Sequence, residues 1–452
     1  MLTDPLPPRH LLSKSTFMYG CQCSKRLWLH KFQPDLRDEM DEEQIRIFQR
    51  GTNVGELARQ LFPGGVNAAP PTPFEYQRSV ADTARYIREG HSIIYEAAFQ
   101  YEGLLCAIDI MVKRRGKWYG YEVKSSTSVK PAFVQDAAYQ YYVISHSGIA
   151  LADMFITHLN TNYIRRGALD LQQLFHSESV LEVVQEEQPF IIEKARELKS
   201  LLKSKKMPLV AIGDYCTKPY ECDFMGHCYK DEADPDPEPA FIDKSVINEF
   251  LGELKYPLHY LDFETWMAAI PECDGHWSYR QIPFQYSLHK QLTSKTQLEH
   301  QYYLATHPHD GLDKFLSQLL KDCGSEGSIL VYNKTFESQV LEKLKIDFPY
   351  MAKAITAIQD RMVDLMSPFR KSYRLPAMQG SYSIKYVLPA LVPELSYDSL
   401  AINNGAMASA AFYELQVEKD QIKIELIRKQ LLDYCGLDTM AMVRILEKLQ
   451  TV

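Results

Sequence analysis

Residues 231–240, DEADPDPEPA, constrain the folding of this chain more than any other stretch. Acidic residues alternate there with proline, which fixes φ and cannot donate a backbone hydrogen bond. The segment is therefore expected to be stiff, extended and poor at packing. A chain of 452 residues favours two or three domains, each large enough to bury its own core. The acidic segment sets the boundary: one domain over residues 10–230 and another over residues 241–452. No repeat of solenoid length interrupts either half.

Hydrophobic residues make up 46% and charged residues 24%, ordinary globular values that argue against disorder along the whole chain. No apolar run reaches the roughly 20 residues that span a bilayer, and the N-terminal stretch has no charged-then-apolar signal pattern. A soluble, cytoplasmic protein without a membrane partner is expected. The net charge of −8 argues against a large nucleic-acid footprint. Local basic clusters remain at Lys113, Arg114, Arg115 and Lys117, at Arg165 and Arg166, and at Lys203, Lys205 and Lys206. Acidic sites that hold metals would lower the total without removing such a track. The nine cysteines are odd in number and clustered, which in a cytosolic chain suggests metal or iron–sulfur ligation rather than disulfides.

Hydrophobic periodicity predicts an α/β pattern in both halves. In the first, residues 41–61, 130–145 and 189–206 read as helices and 92–99, 104–113, 118–125 and 150–159 as strands. In the second, residues 241–250, 312–323, 336–345 and 421–450 read as helical. Strands are expected over 256–264, 284–289, 301–304 and 328–332.

The run CAIDIMVKRRGKWYGYEVKSS places Asp109 on one predicted strand and Glu122 and Lys124 on the next. Side chains alternate along a strand, so Glu122 and Lys124 share a face that Asp109 can meet. Two carboxylates at one spot repel unless a cation neutralises them, and hard oxygen ligands suit Mg²⁺ or Mn²⁺. The lysine can hold an attacking water or offset charge on a phosphoryl group. The helix that follows carries Gln135, Asp136, Gln140 and Tyr142.

This arrangement resembles the PD-(D/E)XK nuclease superfamily, in particular its RecB-like and CRISPR-associated exonuclease branch, over residues 10–230. The resemblance implies a glutamine motif on the helix after the lysine, with Gln140 the best match and Gln135 with Tyr139 an alternative register. It also implies a metal-binding histidine in an RGxxxH-like motif. The corresponding stretch here, Arg50 to Glu56, has none, so Glu96 or Glu56 is expected to substitute.

Cys216, Cys222 and Cys228 are spaced C-x5-C-x5-C. A fourth soft ligand must come from elsewhere, with Cys23 the best candidate and Cys21 the reserve. Four thiolates fit a [4Fe–4S] cluster or a structural zinc. The same nuclease branch often places one cysteine before the core and three after it around an iron–sulfur cluster.

Beyond the acidic segment, HYLDFET sets Asp262 and Glu264 on one strand face, and DYCGLDT sets Tyr434 and Asp438 four apart on one helix face. Between them, VYNKTFESQVL supplies Asn333 and Glu337. This order resembles the tyrosine subtype of the DEDD exonuclease superfamily, which has an RNase H-like fold. Glu337 stands where that family has an aspartate, with Asp364 an alternative. The resemblance implies that the four acids hold two divalent ions and that Tyr434 positions the attacking water. Lys385, in GSYSIKYVLPAL, has no role assigned from sequence.

The whole chain resembles a bacterial family that joins these two halves. The expectation is a metal-dependent nuclease, exonucleolytic on DNA with RNA as the alternative substrate, acting in repair, recombination or defence. The alternatives are one catalytic half beside a nucleic-acid-binding platform, and a non-catalytic nucleic-acid-binding or assembly protein.

Overall fold

A computed structural model describes residues 10–39, 51–72, 74–230, 239–306 and 311–452. The chain divides into two compact units, Met1–Ala233 with Ala268–Tyr279, and Asp234–Met267 with Arg280–Val452. The acidic segment falls at the first division, although most of it lies outside the described residues. Of the helix expected over residues 41–61, residues 51–58 are described and are helical. No described helix is long and apolar enough to cross a membrane.

Both units are mixed α/β. In the first, the strands Ile93–Tyr101, Leu104–Arg114 and Lys117–Lys124 form an antiparallel meander. Its two hairpin turns, Glu102–Gly103 and Arg115–Gly116, have φ of 44° and 77°, and of 49° and 80°. Positive φ at both central residues matches the right-handed twist of the strands they join, and glycine at the second position lowers the strain. The helix Pro131–His146 then crosses over to Leu151–Leu159, which runs parallel to Lys117–Lys124. Pro131 opens that helix where no backbone donor is needed. The helix buries Phe133, Ala137, Tyr139, Val143 and Ile144 in one core with Ile108, Met154 and Ile156 of the sheet.

The segment Ala268–Tyr279 lies after the boundary read from sequence yet belongs to this unit. Arg165 accounts for much of its attachment. Its guanidinium donates to the carbonyls of Pro271 and Glu272 at 3.0 and 2.7 Å, and its backbone pairs with Gly275 and His276. The Tyr279 hydroxyl donates to the Ser125 carbonyl at 2.7 Å.

The second unit has a five-stranded sheet in the order Glu299–Leu304, Ile282–Gln291, Leu258–Trp266, Ile329–Val331, Met362–Asp364. The first three strands are antiparallel and the last two run parallel to Leu258–Trp266. Leu261 and Phe263 join a core with Phe315, Leu319, Val340 and Leu344 of the helices Leu312–Cys323 and Lys334–Asp347. Asp262 and Glu264 therefore point to the opposite face. The helices Gln421–Leu449 and Gly405–Glu414 pack on the same strand. The stacked rings of Phe284 and Phe412, 4.0 Å between centroids, hold the second of these helices down.

One element differs from the sequence expectation. Residues 241–250 do not form a single helix: Phe241–Ile242 is a strand paired with Tyr373–Arg374, and the helix is Lys244–Gly252. Asp243 stops the helix from extending backwards. Its side chain accepts from the Ser245 amide at 3.0 Å, an N-cap that needs extended backbone at Asp243.

Candidate active sites

In the first unit, Tyr95 lies opposite Ile110, and Ile110 opposite Tyr121. One residue along, Glu96, Asp109 and Glu122 stand side by side on three adjacent strands, with side chains on one face. Glu122 is 2% exposed and has three partners. Lys14 and Lys124 donate to its Oε1 at 2.6 and 2.9 Å, and the Gln140 amide donates to Oε2 at 2.6 Å. Lys124 also reaches Asp136 at 2.6 Å. Asp109 accepts from the Val123 amide at 2.6 Å, and Glu96 pairs with Arg59 at 2.8 Å.

The acids titrate differently because their neighbours differ. Burial pushes Asp109 up, and Glu122 and Glu96 add to it, to about 8. Burial also penalises Glu122, but Lys124 and Lys14 outweigh it and hold Glu122 near 2. Glu96 is raised by burial against the opposing pull of Arg59. Its φ of 53° is strained for a residue with a Cβ, a feature that concentrates at functional sites.

The structure brings Asp109, Glu122, Lys124, Gln140 and Glu96 of the expected set together. Gln140 fills the glutamine position, whereas Tyr139 is buried and donates to the Leu12 carbonyl. Of the two substitutes for the missing histidine, Glu96 adjoins Asp109 and Glu56 is exposed. Sequence reading missed Lys14, the first residue of the helix Lys14–Gln22 and 108 residues before Glu122.

In the same unit, Cys23, Cys216, Cys222 and Cys228 line one cavity. Cys21 is not among them. It packs against the main core, where burial, partly offset by Lys194, pushes its thiol up to about 12. The cavity wall is tied to the N-terminal helices. Gln22 donates to the carbonyls of Tyr215 and Tyr220 at 2.6 and 2.7 Å, and Arg26 pairs with Asp223 at 2.7 Å. Among the described residues, no three cysteine sulfurs lie within 4.8 Å of one another. A closed tetrahedral zinc site, with Zn–S bonds of about 2.3 Å, needs sulfurs roughly 3.8 Å apart.

In the second unit, three elements bring four acids together. Asp262 and Glu264 come from Leu258–Trp266, Glu337 from the first turn of Lys334–Asp347, and Asp438 from Gln421–Leu449. Glu264, Glu337 and Asp438 are 6%, 1% and 7% exposed. The Tyr397 hydroxyl donates to Asp438 at 2.6 Å, and Tyr434 also hydrogen-bonds to Asp438. Glu337 Oε2 is buried with no hydrogen-bond partner.

Burial and mutual repulsion dominate here. Burial, then Asp438, Glu264 and Glu337, push Asp262 well above the usual carboxylate range. Glu264 is raised in the same way, against the opposing pull of Lys385. Burial takes Glu337 to about 8, and takes Asp438 to about 6 despite its tyrosine hydrogen bonds and Lys385.

The alternative acid, Asp364, accepts from the amides of Asn333 and Met366 at 3.1 and 3.0 Å. It caps the turn before Glu337 and lies close enough to add to the raising of Glu337, which also acts on Asp262 and Glu264 and is acted on by Asp438. Cys435 lies with Asp262 and Glu264 in a group whose ligand atoms are all within 4.8 Å. Burial and the acids raise its thiol far above normal, so it stays protonated and donates weakly to Asp262 at 3.7 Å.

A protein-family profile described as a domain of unknown function, DUF2779, matches residues 259–383. No curated protein matches the chain. The matched stretch contains Asp262, Glu264 and Glu337 and stops before Lys385, Tyr397, Tyr434 and Asp438. Lys385 and Tyr397, like Cys435, are residues of this site to which sequence reading gave no role. Neither sits in a motif of paired acids, and only the folded chain brings them to Asp438.

Proposed function

We propose that the protein is a metal-dependent nuclease whose second unit hydrolyses phosphodiester bonds in nucleic acid. The observation that carries this reading is the convergence of Asp262, Glu264, Glu337 and Asp438, mostly buried, without an ion pair to any of them among the described residues. Such a set is costly unless divalent cations enter. The donors fit Mg²⁺ or Mn²⁺: hard carboxylate oxygens, one of them buried without a partner at Glu337. When bound, such ions would polarise the phosphoryl group and lower the pKa of a coordinated water. The chain's own part is to fix the acids. The Tyr397 hydroxyl orients Asp438 from one side. Tyr434, raised far above its ordinary pKa by burial and the acids, stays neutral and donates to Asp438, and its hydroxyl oxygen can accept from and orient a water. The mixed sheet flanked by helices agrees with an RNase H-like domain of the DEDD type.

The first unit is assigned by the same reading to the PD-(D/E)XK nucleases, with Asp109, Glu122 and Glu96 as the cation ligands and Lys124 as the water-positioning cation. The cysteine cavity is assigned to a [4Fe–4S] cluster held by Cys23, Cys216, Cys222 and Cys228. A structural zinc is the alternative. The substrate is DNA, with RNA the alternative, in a cytoplasmic repair, recombination or defence role.

A second reading makes the first unit a binding platform and leaves cleavage to the second. Lys14 favours it: two lysines already neutralise Glu122, leaving less for a metal to stabilise. The test is cleavage of end-labelled single- and double-stranded DNA and RNA with Mn²⁺ by the wild type, Lys124→Ala and Asp262→Asn. Loss in Asp262→Asn alone supports the second reading, and loss in either variant supports its own site. Undiminished cleavage in both variants would sink the two-site proposal, and a wild type inert on every substrate would sink the nuclease assignment.

A further inference from the structure

Cys435 lies on the helix Gln421–Leu449, one residue after Tyr434 and three before Asp438, so its side chain leaves the helix on the same side as that acid. It is fully buried. A buried free cysteine commonly acts as a small apolar filler. Cys106 and Cys323 are of that kind, each packed in an apolar core. Cys435 is placed otherwise. Its sulfur is 3.7 Å from Asp262 Oδ2 and 3.9 Å from the Asp262 carbonyl oxygen. That sulfur and one carboxylate oxygen from each of Asp262 and Glu264 all lie within 4.8 Å of one another.

The partners of the two acids point to a ligand among these three atoms. Glu264 is 6% exposed, and its carboxylate makes no hydrogen bond or ion pair with any described residue. Among the described residues, the thiol is the one hydrogen-bond donor to the Asp262 carboxylate. A thiol is a weak donor, so most of the acceptor capacity of the pair goes unused, at a cost that a cation removes. The sulfur then decides which cation. Mg²⁺ takes hard oxygen ligands and gives up its waters reluctantly, whereas a mixed thiolate and carboxylate set suits a borderline-soft ion such as Co²⁺ or Zn²⁺.

Resting on the metal-dependent reading of this site, we propose that Cys435 is a third ligand of the cation held by Asp262 and Glu264. This position accordingly takes a borderline-soft transition ion in preference to Mg²⁺. On binding, the S–H bond breaks, its proton goes to solvent, and a sulfur electron pair forms the bond to the ion.

The test is titration of the full chain with Co²⁺ as the probe, for the wild type, Cys435→Ser and Cys435→Ala. It is read by the near-ultraviolet sulfur-to-cobalt charge-transfer band and by calorimetry, with a parallel calorimetric titration by Mg²⁺. The cysteine cavity of the first unit is the same in all three proteins, so its absorbance cancels in the difference spectra. Since even the hydrogen-bond partners of a metal ligand are worth about 10–100-fold in affinity, Cys435→Ser should bind Co²⁺ at least about 10-fold more weakly. Both variants should also lose the band, while Mg²⁺ affinity stays nearly unchanged in Cys435→Ser. A cysteine that only fills space would show no Cys435-dependent band. Asp262→Asn, with Cys435 intact, reads the same site independently of whether the cysteine variants fold, and the band should weaken there too. A wild-type band in Cys435→Ser or in Asp262→Asn, equal losses of Co²⁺ and Mg²⁺ affinity, or a wild type without the band would each overturn the proposal. The nuclease reading is judged separately, by Mn²⁺-dependent cleavage and its loss in Asp262→Asn. A chain that binds Co²⁺ through Cys435 but does not cut would refute that reading alone. A chain that cuts, with a wild-type Co²⁺ spectrum in Cys435→Ser, would refute this proposal alone.

Discussion

Replacing Glu337 by glutamine removes one ionisable group from the second site and keeps its shape. Glu337 is 1% exposed, and burial raises it from 4.5 to about 8. An unfolded chain releases this proton above about pH 4.5, whereas the folded protein keeps it until about pH 8. Stability therefore falls as pH rises through that window, by up to about 1.4 kcal/mol per pH unit, and is fully retained below it. At pH 7 the accumulated cost is about 3 kcal/mol, which glutamine would not incur. Proton release gives the cleaner measurement. With a pKa of about 8, Glu337 holds about 0.9 proton at pH 7 and about 0.1 at pH 9. A cation that takes Glu337 as a ligand must displace that proton. Calorimetric titration with Mn²⁺ in buffers of different ionisation enthalpy counts the protons released. The expected result is about 0.9 fewer in Glu337→Gln than in the wild type at pH 7, and nearly equal counts at pH 9. A variant that binds Mn²⁺ and releases as many protons as the wild type at pH 7 would refute the argument that Glu337 is a protonated, cation-displaceable ligand.

Lys14→Met leaves Glu122 with one lysine in place of two. Its pKa should rise from about 2, and thermal unfolding should report a loss of roughly 1–3 kcal/mol in the first unit. Cys23→Ser should abolish the visible absorbance and iron of protein purified without oxygen, whereas Cys21→Ser, outside the cavity, should keep both. His289, stacked on His300 at 4.2 Å, is lowered by burial and by His300 to about 4. The unfolded chain gains this proton below about pH 6.5 and the folded one does not. His289 therefore costs the second unit up to about 3 kcal/mol as pH falls from 6.5 to 4, and His289→Gln should flatten that acid-side loss in urea unfolding.

Where the signal is local, the sequence is readable. The alternation in Leu258–Trp266 places Leu261 and Phe263 on one face and Asp262 and Glu264 on the other, and the period of two is visible without any partner strand. Tyr434 and Asp438 are four apart on a helix whose observed bounds, Gln421–Leu449, fall within one residue of those expected from its pattern. Reading fails where the deciding partner is distant. Phe241–Ile242 becomes a strand because Tyr373–Arg374 comes to pair with it, more than 130 residues on. Lys14 begins a helix whose sequence, KSTFMYGCQ, says nothing of the carboxylate it will meet. Tyr397 lies in an irregular stretch with no period to betray its contact with Asp438. The cysteines sit between these cases: the spacing of the last three is visible, but only the fold separates Cys23 from Cys21.

The two acidic sites meet the same electrostatic problem in opposite ways. In the first, Lys14 and Lys124 lie on Glu122 and Arg59 on Glu96, so the chain supplies cations for most of its own carboxylates. In the second, four acids meet with hydroxyls, a protonated thiol and one lysine that forms no ion pair with them among the described residues. A ligand stabilises a fold by RT ln(1 + [L]/Kd), and the gain is largest where the unliganded state carries the most unrelieved repulsion. Divalent cations should therefore raise the stability of the second unit far more than that of the first. The second unit's fold would then depend on those ions, while the first can keep its acids ordered without them.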